Sequence, residues 1–232
     1  LSTDDPFSIG YKSVAVNLSD LAAMGAIPKY VLLSLTLPVS DEIWIEQFSN
    51  GIKALLRSHS VALVGGDTTR GEILSITLTA IGFVKSDTAL RRDHACLDDD
   101  VWVSGLIGLG SIGLLIKQGV LKFPVEEEQD FLRRLHEPQP RIELGQKLIG
   151  IANSAIDVSD GLVADAGHIA NQSGVKIIID YEEIPVHESI KNRRFDQDIE
   201  SSILGGGDDY ELLFTAKAEY MLRINSIAAE LG

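Results

Sequence analysis

From Ile73 to Val84 the side chains alternate. Leu74, Ile76, Leu78 and Ala80 point one way, and Ser75, Thr77 and Thr79 the other. That pattern demands a half-buried strand and therefore a sheet with a layer over one face. The upstream sequence supplies candidates for both. Ser8 is placed to cap a helix running to about Met24, with Gly25 as its stop and Pro28 beyond. Val31 to Leu37 reads as a strand, and Ser40 is placed to cap a second helix over Asp41 to Ser58. Val61 to Val64 reads as a short buried strand. The order helix–strand–helix–strand–strand predicts an α+β layer, with helices on one face of a largely antiparallel sheet. The strands are few for such a sheet, so the rest are expected before Leu1 or from a partner chain.

The polar stretch from Lys85 to Asp100 breaks this pattern and divides the chain into an expected N-terminal domain, 1–94, and a second, α/β domain, 95–232. The second begins with a strand from Val101 to Gly105, then a helix near Ile112 to Gln118. Pro138 and Pro140 precede a helix from about Arg141 to Asn153. A helix follows the Ser159-Asp160-Gly161 turn and runs to about Ser173. Val175 to Asp180 and Tyr210 to Ala216 read as strands, and a last helix runs from about Ala218 to Gly232.

Four segments carry chemistry. Leu63-Val64-Gly65-Gly66-Asp67-Thr68-Thr69-Arg70-Gly71 reads as a strand end opening into a glycine turn. There backbone N–H groups can approach a phosphate and Asp67 can hold a divalent cation. Asn17 and Asp20 share one face of an otherwise apolar helix, which suits a metal or a polar network. Asp157-Val158-Ser159-Asp160-Gly161 sets two carboxylates at the start of a helix. Ser159 or Asp160 can cap that helix, and a phosphate held by Mg²⁺ would suit both acids. Gly205-Gly206-Gly207-Asp208-Asp209-Tyr210-Glu211 implies an unusual backbone path or the close approach of a ligand. Asp98-Asp99-Asp100 reads as a surface turn, and Glu126-Glu127-Glu128 as the solvated face of a helix. Gly108-Leu109-Gly110-Ser111-Ile112-Gly113 imitates a dinucleotide fingerprint, but no second strand ending in an acid follows about 20 residues on. Its glycines read as close packing between strand and helix.

Charge narrows the partners. With 20 basic and 34 acidic residues the net charge is −14, which argues against nucleic acid and anionic membranes. It also means that a phosphate ligand needs metal ions or local arginines beside the carboxylates. No apolar run reaches the roughly 18 residues that span a bilayer. One cysteine, Cys96, excludes an intrachain disulfide, and the five histidines form no i, i+4 pair for zinc. His168 falls in an amphipathic helix and reads as structural. A cytoplasmic protein is expected.

In order and spacing, "GYKSVAVNLSDLAAMGAIP", "LVGGDTTRG", "AIDVSDGL" and "GGGDDYELLFT" resemble thiamine-monophosphate kinase, of the superfamily of aminoimidazole ribonucleotide synthetase. The resemblance runs over nearly the whole chain. It implies ATP-dependent phosphorylation of thiamine monophosphate to thiamine diphosphate. The transfer would be direct and in line, positioned by several Mg²⁺ ions, with room for K⁺ and with no residue acting as nucleophile. By motif position it implies ATP contacts from Gly66, Asp67, Arg92 and Ser159, with Arg91 the alternative to Arg92. Metal contacts would come from Asp20, Asp67, Asp157 and Asp160, and a substrate contact from Asp208, where the family usually has Glu. It further implies a homodimer in which the N-terminal sheet pairs across the interface. The rivals are another ATP-using enzyme of the superfamily and a catalytically silent nucleotide-binding protein.

Overall fold

The computed structural model describes residues 4–231. It builds two three-stranded sheets. The first has β1 (Ile27–Leu37) at its centre, parallel to β2 (Ala62–Arg70) and antiparallel to β3 (Ser75–Phe83). Helices α1 (Pro6–Ala23) and α2 (Glu42–Ser58) form the covering layer. The sheet is thus mixed rather than largely antiparallel: α2 is a crossover that returns the chain, so β2 enters in the direction of β1. Val14 and Leu18 of α1, Val31 and Leu35 of β1, and Phe48 and Ile52 of α2 make the core between the layers. The helices meet very closely: a Cβ on Gly51 would lie 1.9 Å from the Phe7 carbonyl oxygen, and one on Gly10 would lie 2.1 Å from that of Phe48.

Both expected helix caps move to a neighbouring aspartate. Asp5, not Ser8, caps α1, and accepts bonds from both the Ser8 N–H and the Ser8 hydroxyl. Asp41, not Ser40, caps α2, with Oδ1 accepting from the N–H groups of Ile43 and Trp44. A charged acceptor at a helix N-terminus satisfies orphan donors and also favours the helix dipole.

Two expectations about β2 are overturned. Its residues are exposed throughout, including Leu63 and Val64, because it lies at the sheet edge. The Gly65-Gly66-Asp67 segment is not a turn after the strand but its middle. Gly65 pairs with Leu32, Gly66 with Leu33 and Asp67 with Ser34, after a register shift beside Val31. Gly66 has φ +148°, and a Cβ there would lie 1.8 Å from the Leu33 carbonyl oxygen, so the glycine serves strand pairing.

In the second sheet β6 (Leu212–Lys217) lies between β4 (Asp99–Val103) and β5 (Ala152–Asp157), antiparallel to both. Around it stand α3 (Leu109–Lys117), α4 (Val125–His136), α5 (Ile142–Leu148), α6 (Leu162–Ser173), α7 (Glu188–Lys191), α8 (Gln197–Gly205) and α9 (Met221–Leu231). Alternation along β6 divides its side chains between two cores. Leu212, Phe214 and Ala216 join the cluster containing α1 and α2, while Leu213 joins Ile112, Phe131, Ile156 and Ile203 on the other face. The N-terminal helices and the second sheet therefore share one core, which fixes α1 against the end of β5.

Other boundaries also differ from expectation. The helix expected to reach Asn153 stops at Leu148; Ile149 is extended, Gly150 has φ +75°, and Asn153 belongs to β5. Residues 175–180 join no strand ladder. The strand expected over Val101 to Gly105 runs from Asp99, and that expected from Tyr210 begins at Leu212. Asp99 is no mere surface acid: it accepts hydrogen bonds from Asn153, Thr215 and the Cys96 N–H. Glu126, Glu127 and Glu128 lie in the first turn of α4, where the dipole favours acids. Gly232 lies outside the described residues.

Candidate active site

Two of the acidic segments meet where the C-terminal end of α1 reaches the end of β5. Asp157 is the last residue of β5 and only 3% exposed. The Ser19 hydroxyl donates to its Oδ2 at 2.8 Å across 138 residues of sequence. Burial pushes the Asp157 carboxyl up to about 6; the Ser19 bond works against that, and the neighbouring negative charge of Asp20 adds to it. Asp20 reaches solvent, yet the packing around it still raises its pKa, with Arg92 pulling the other way. A buried carboxylate whose charge is further disfavoured by a neighbouring one forms a site short of positive charge. The donor set, carboxylate oxygens with a hydroxyl beside them, suits a hard divalent cation such as Mg²⁺. Asn17 is drawn off to its own helix, where its amide donates to the Ser13 carbonyl.

Beside Asp20 a cleft of about 290 Å³ is lined by Met24, Leu90, Arg91, Arg92 and Ala155, among others. The two arginines differ. Arg91 is tied to Asp93 through Nε (2.8 Å) and Nη2 (2.6 Å), and this pair pushes the Asp93 carboxyl down to about 2. Arg92 instead acts on Asp20.

The turn after β5 has a different cap from the one expected. Neither Ser159 nor Asp160 caps α6; Gly161 holds the cap position without a side-chain bond. Asp165, one turn into the helix, reaches back so that its Oδ2 accepts from the N–H groups of Ser159 and Asp160. Asp160 is left exposed and pointing away from that task. Oxygens of Asp160 and Asp165 and a nitrogen of His168 come within 4.8 Å of one another. Asp165 already accepts two backbone bonds.

The loop from Gly205 packs on this turn. The Asp208 N–H donates to the Ser159 carbonyl and the Tyr210 N–H to that of Val158. The tight approach expected of the glycines is made to protein: a Cβ on Gly207 would lie 2.3 Å from the Ser159 carbonyl oxygen. Asp208 pairs with Lys12 of α1 at 3.1 Å and accepts from the Tyr210 hydroxyl at 2.9 Å. Burial and the charges of Asp208, Asp157 and Asp20 all raise the Tyr210 pKa, so this phenol stays protonated and faces three acids. Glu211, 4% exposed, anchors the loop's far end through a two-pronged pair with Arg141 (2.7 and 2.6 Å).

Asp20, Asp157, Asp160, Ser159, Asp208 and Arg92 thus belong to one neighbourhood. Gly66 and Asp67 stand on exposed β2. Among the described residues no hydrogen bond or ion pair links Asp67 to the other acids; its Oδ1 accepts from the Thr68 N–H. Sequence reasoning missed Lys12, Ser19, Asp165 and Tyr210. Lys12 and Ser19 are seven apart and so share one helix face, a signal readable from spacing. Asp165 acts locally, on N–H groups of the turn just before its helix, whereas Tyr210 becomes visible only once β5 and the glycine loop are brought together.

This two-part fold is that of the AIR synthase related proteins. The N-terminal domain model of that family matches residues 1–84 and its C-terminal domain model residues 98–229. Within it, the chain belongs to the thiamine-monophosphate kinase family. It is 47% identical over 222 residues to the thiamine-monophosphate kinase of Haemophilus influenzae, covering 95% of this chain and 67% of that protein. The crystal structure of thiamine-monophosphate kinase from Stenotrophomonas maltophilia K279a superposes with a TM-score of 0.93 at 45% identity, covering 98% of this chain and 73% of that one. A structure of AaThiL complexed with AMPPCP and TMP superposes with a TM-score of 0.85 at 34% identity, covering 94% and 71%. The chain spans about two thirds of the length of the curated relatives it matches.

Proposed function

We propose that this protein transfers the γ-phosphoryl group of ATP to the phosphate of thiamine monophosphate, giving thiamine diphosphate and ADP. The observation that carries this reading is the pairing of Asp20 with buried Asp157, a carboxylate pair whose repulsion calls for a cation. The structure of AaThiL with AMPPCP and TMP supports the choice of substrates. In the transfer the bond from the γ-phosphorus to its bridging oxygen breaks as a terminal oxygen of the acceptor phosphate forms a new one, in line. The acceptor is already ionised at neutral pH, so no strong general base is needed.

Asp20, Asp157 and Asp160, with Asp67, would hold Mg²⁺, which when bound offsets the negative charge of the phosphates. Ser19 holds the Asp157 carboxylate in place through its hydroxyl. Arg92, with Gly66, Asp67 and Ser159, binds the nucleotide, and Arg91 is occupied by Asp93. Asp208, steadied by Lys12 and Tyr210, faces the thiamine substrate. Residues 1–94 act as the ATP- and metal-binding unit and 95–232 as its α/β companion. K⁺ is a candidate accessory ion.

The outer face of the first sheet supports a homodimer. Tyr30, Leu32, Ile81 and Phe83 are all exposed on β1 and β3, with the Tyr30 and Phe83 rings meeting edge to face, and such a grouped apolar patch is the kind that marks a protein–protein contact. No helix among the described residues is long and apolar enough to cross a membrane, and the reaction draws on cytoplasmic ATP. The test is turnover by the full-length chain with ATP, with and without Mg²⁺, offering thiamine monophosphate or the aminoimidazole precursor as acceptor. Magnesium-dependent thiamine diphosphate is expected. Turnover of the aminoimidazole precursor alone would assign a sister activity, and ATP binding without turnover would make the protein a silent binder.

A further inference from the structure

The glycine-rich segment that imitates a dinucleotide fingerprint does hold an acidic group, and the group is the protein's own Asp209 side chain. The Gly108 N–H donates to Asp209 Oδ2 at 2.7 Å and the Gly110 N–H to Asp209 Oδ1 at 3.1 Å. The carboxylate thus occupies the N-terminus of α3, where a phosphate would sit in a nucleotide fold. Gly110 cannot be larger, since a Cβ there would lie 2.3 Å from the Asp208 carbonyl oxygen.

On either side of Asp209 the backbone is strained. Asp208 has φ +70° and Tyr210 φ +53°, both in the left-handed region that residues with a Cβ rarely enter. Such a conformation persists only where surrounding contacts determine it. Here the contacts are the α3 terminus gripping Asp209 and the two backbone bonds to Val158 and Ser159. The strained pair carries the two side chains that face the site: Asp208 toward Lys12, and Tyr210 toward Asp208 and the Asp20–Asp157 acids. Burial pushes the Asp209 carboxyl up to about 7, against the pull of the Gly108 and Gly110 donors.

We infer that Asp209 is a positioning residue: locked into the glycine-rich end of α3, it holds Asp208 and Tyr210 in left-handed backbone and so sets the binding of the phosphate acceptor. This rests on the kinase reading given above. It assigns the glycine segment a role in substrate placement rather than in cofactor binding. It also separates two adjacent acids that look equivalent in sequence, Asp208 facing the site and Asp209 facing away from it.

The test is steady-state kinetics of full-length Asp209→Asn beside wild type, with ATP and thiamine monophosphate varied in turn, and a thermal melt of each. The amide keeps the shape but replaces one acceptor oxygen with a donor, so one N–H of α3 meets another. The expected result is a KM for thiamine monophosphate raised about 10-fold or more, since a small misplacement of a binding loop has effects of that order. The KM for ATP should rise several-fold less than that for thiamine monophosphate, because of the proposed nucleotide contacts only Ser159 is bonded to this loop, and through its backbone carbonyl. A merely structural role would lower the amount of folded enzyme and leave both KM values alone. If Asp209→Asn does not fold, Asp209→Glu keeps the charge but displaces the loop by one methylene, and the same split in KM is expected. Wild-type KM values for both substrates in a folded variant would overturn the inference. Absence of product from the wild type would instead overturn the kinase reading.

Discussion

The two glycine–acid segments of this chain, Gly65-Gly66-Asp67 and Gly206-Gly207-Asp208-Asp209, look alike in sequence and behave differently in the structure. The first is an edge strand, exposed along its length, whose Gly66 exists so that β2 can pair with β1. The second is a packed loop, bonded to the turn after β5 and to the end of α3, and strained at two residues with side chains. Glycine next to aspartate therefore says that the backbone comes close to something. What it comes close to is decided by the neighbouring elements, and in both places the nearest partner is protein backbone. Asp67 remains free to meet ligand from an open face, whereas Asp209 is already committed.

The contrast can be tested from its largest expected effect downward. Asp157→Asn should lower kcat/KM on the order of 1,000-fold by removing a metal-facing charge. Its melting temperature should hold or rise, since the variant removes a buried carboxylate and keeps an acceptor for Ser19. Asp67→Asn should likewise abolish turnover without unfolding, because an exposed edge-strand acid adds little stability. Near-normal activity in that variant would remove the metal role of the first segment and leave the second as the only functional one. Arg141→Ala leaves Glu211 buried without its ion pair and should destabilise the protein by about 3 kcal/mol, read by urea denaturation. Gly66→Ala should cost about 2 kcal/mol through backbone strain at β2, and wild-type stability there would contradict the pairing geometry.

The smallest effect is a pH trend. Asp157 and Asp209 are raised from 3.8 to about 6 and about 7, so the folded protein binds protons that the unfolded chain has released. Their contribution to stability is full below the unfolded pKa and is lost as pH rises through about 6 and 7. Metal-free protein should therefore melt at a higher temperature near about pH 5 than near about pH 8, with the other titrating groups superimposed. Added Mg²⁺ should narrow the difference by stabilising the high-pH form.

Periodicity made the sheets and helices legible where one face is buried. The alternation from Leu74 to Ala80 matches β3, where Ile76, Leu78 and Ala80 are partly covered and Ser75, Thr77 and Thr79 exposed. It failed where a segment's role depends on partners distant in sequence. Residues 175–180 are as apolar and β-branched as a strand, but join no ladder. The Arg141–Asn153 stretch holds the whole of α5 and the start of β5, divided at Gly150. Of the site, the acids themselves were readable because carboxylates in apolar surroundings need partners. The groups that orient them were not. Ser19 gains meaning only from Asp157, 138 residues away, and Asp209 only from the α3 terminus, about 100 residues away in the chain. The imitation fingerprint at Gly108 was readable as packing, while its true partner, a carboxylate of the same chain, required the fold.

The most direct measurement is ³¹P NMR of ATP and thiamine monophosphate mixed with the full-length protein, with and without Mg²⁺. The account predicts paired thiamine diphosphate signals growing as ADP appears, only when Mg²⁺ is present. ADP accompanied by free phosphate, or thiamine diphosphate formed equally well without a divalent cation, would contradict it.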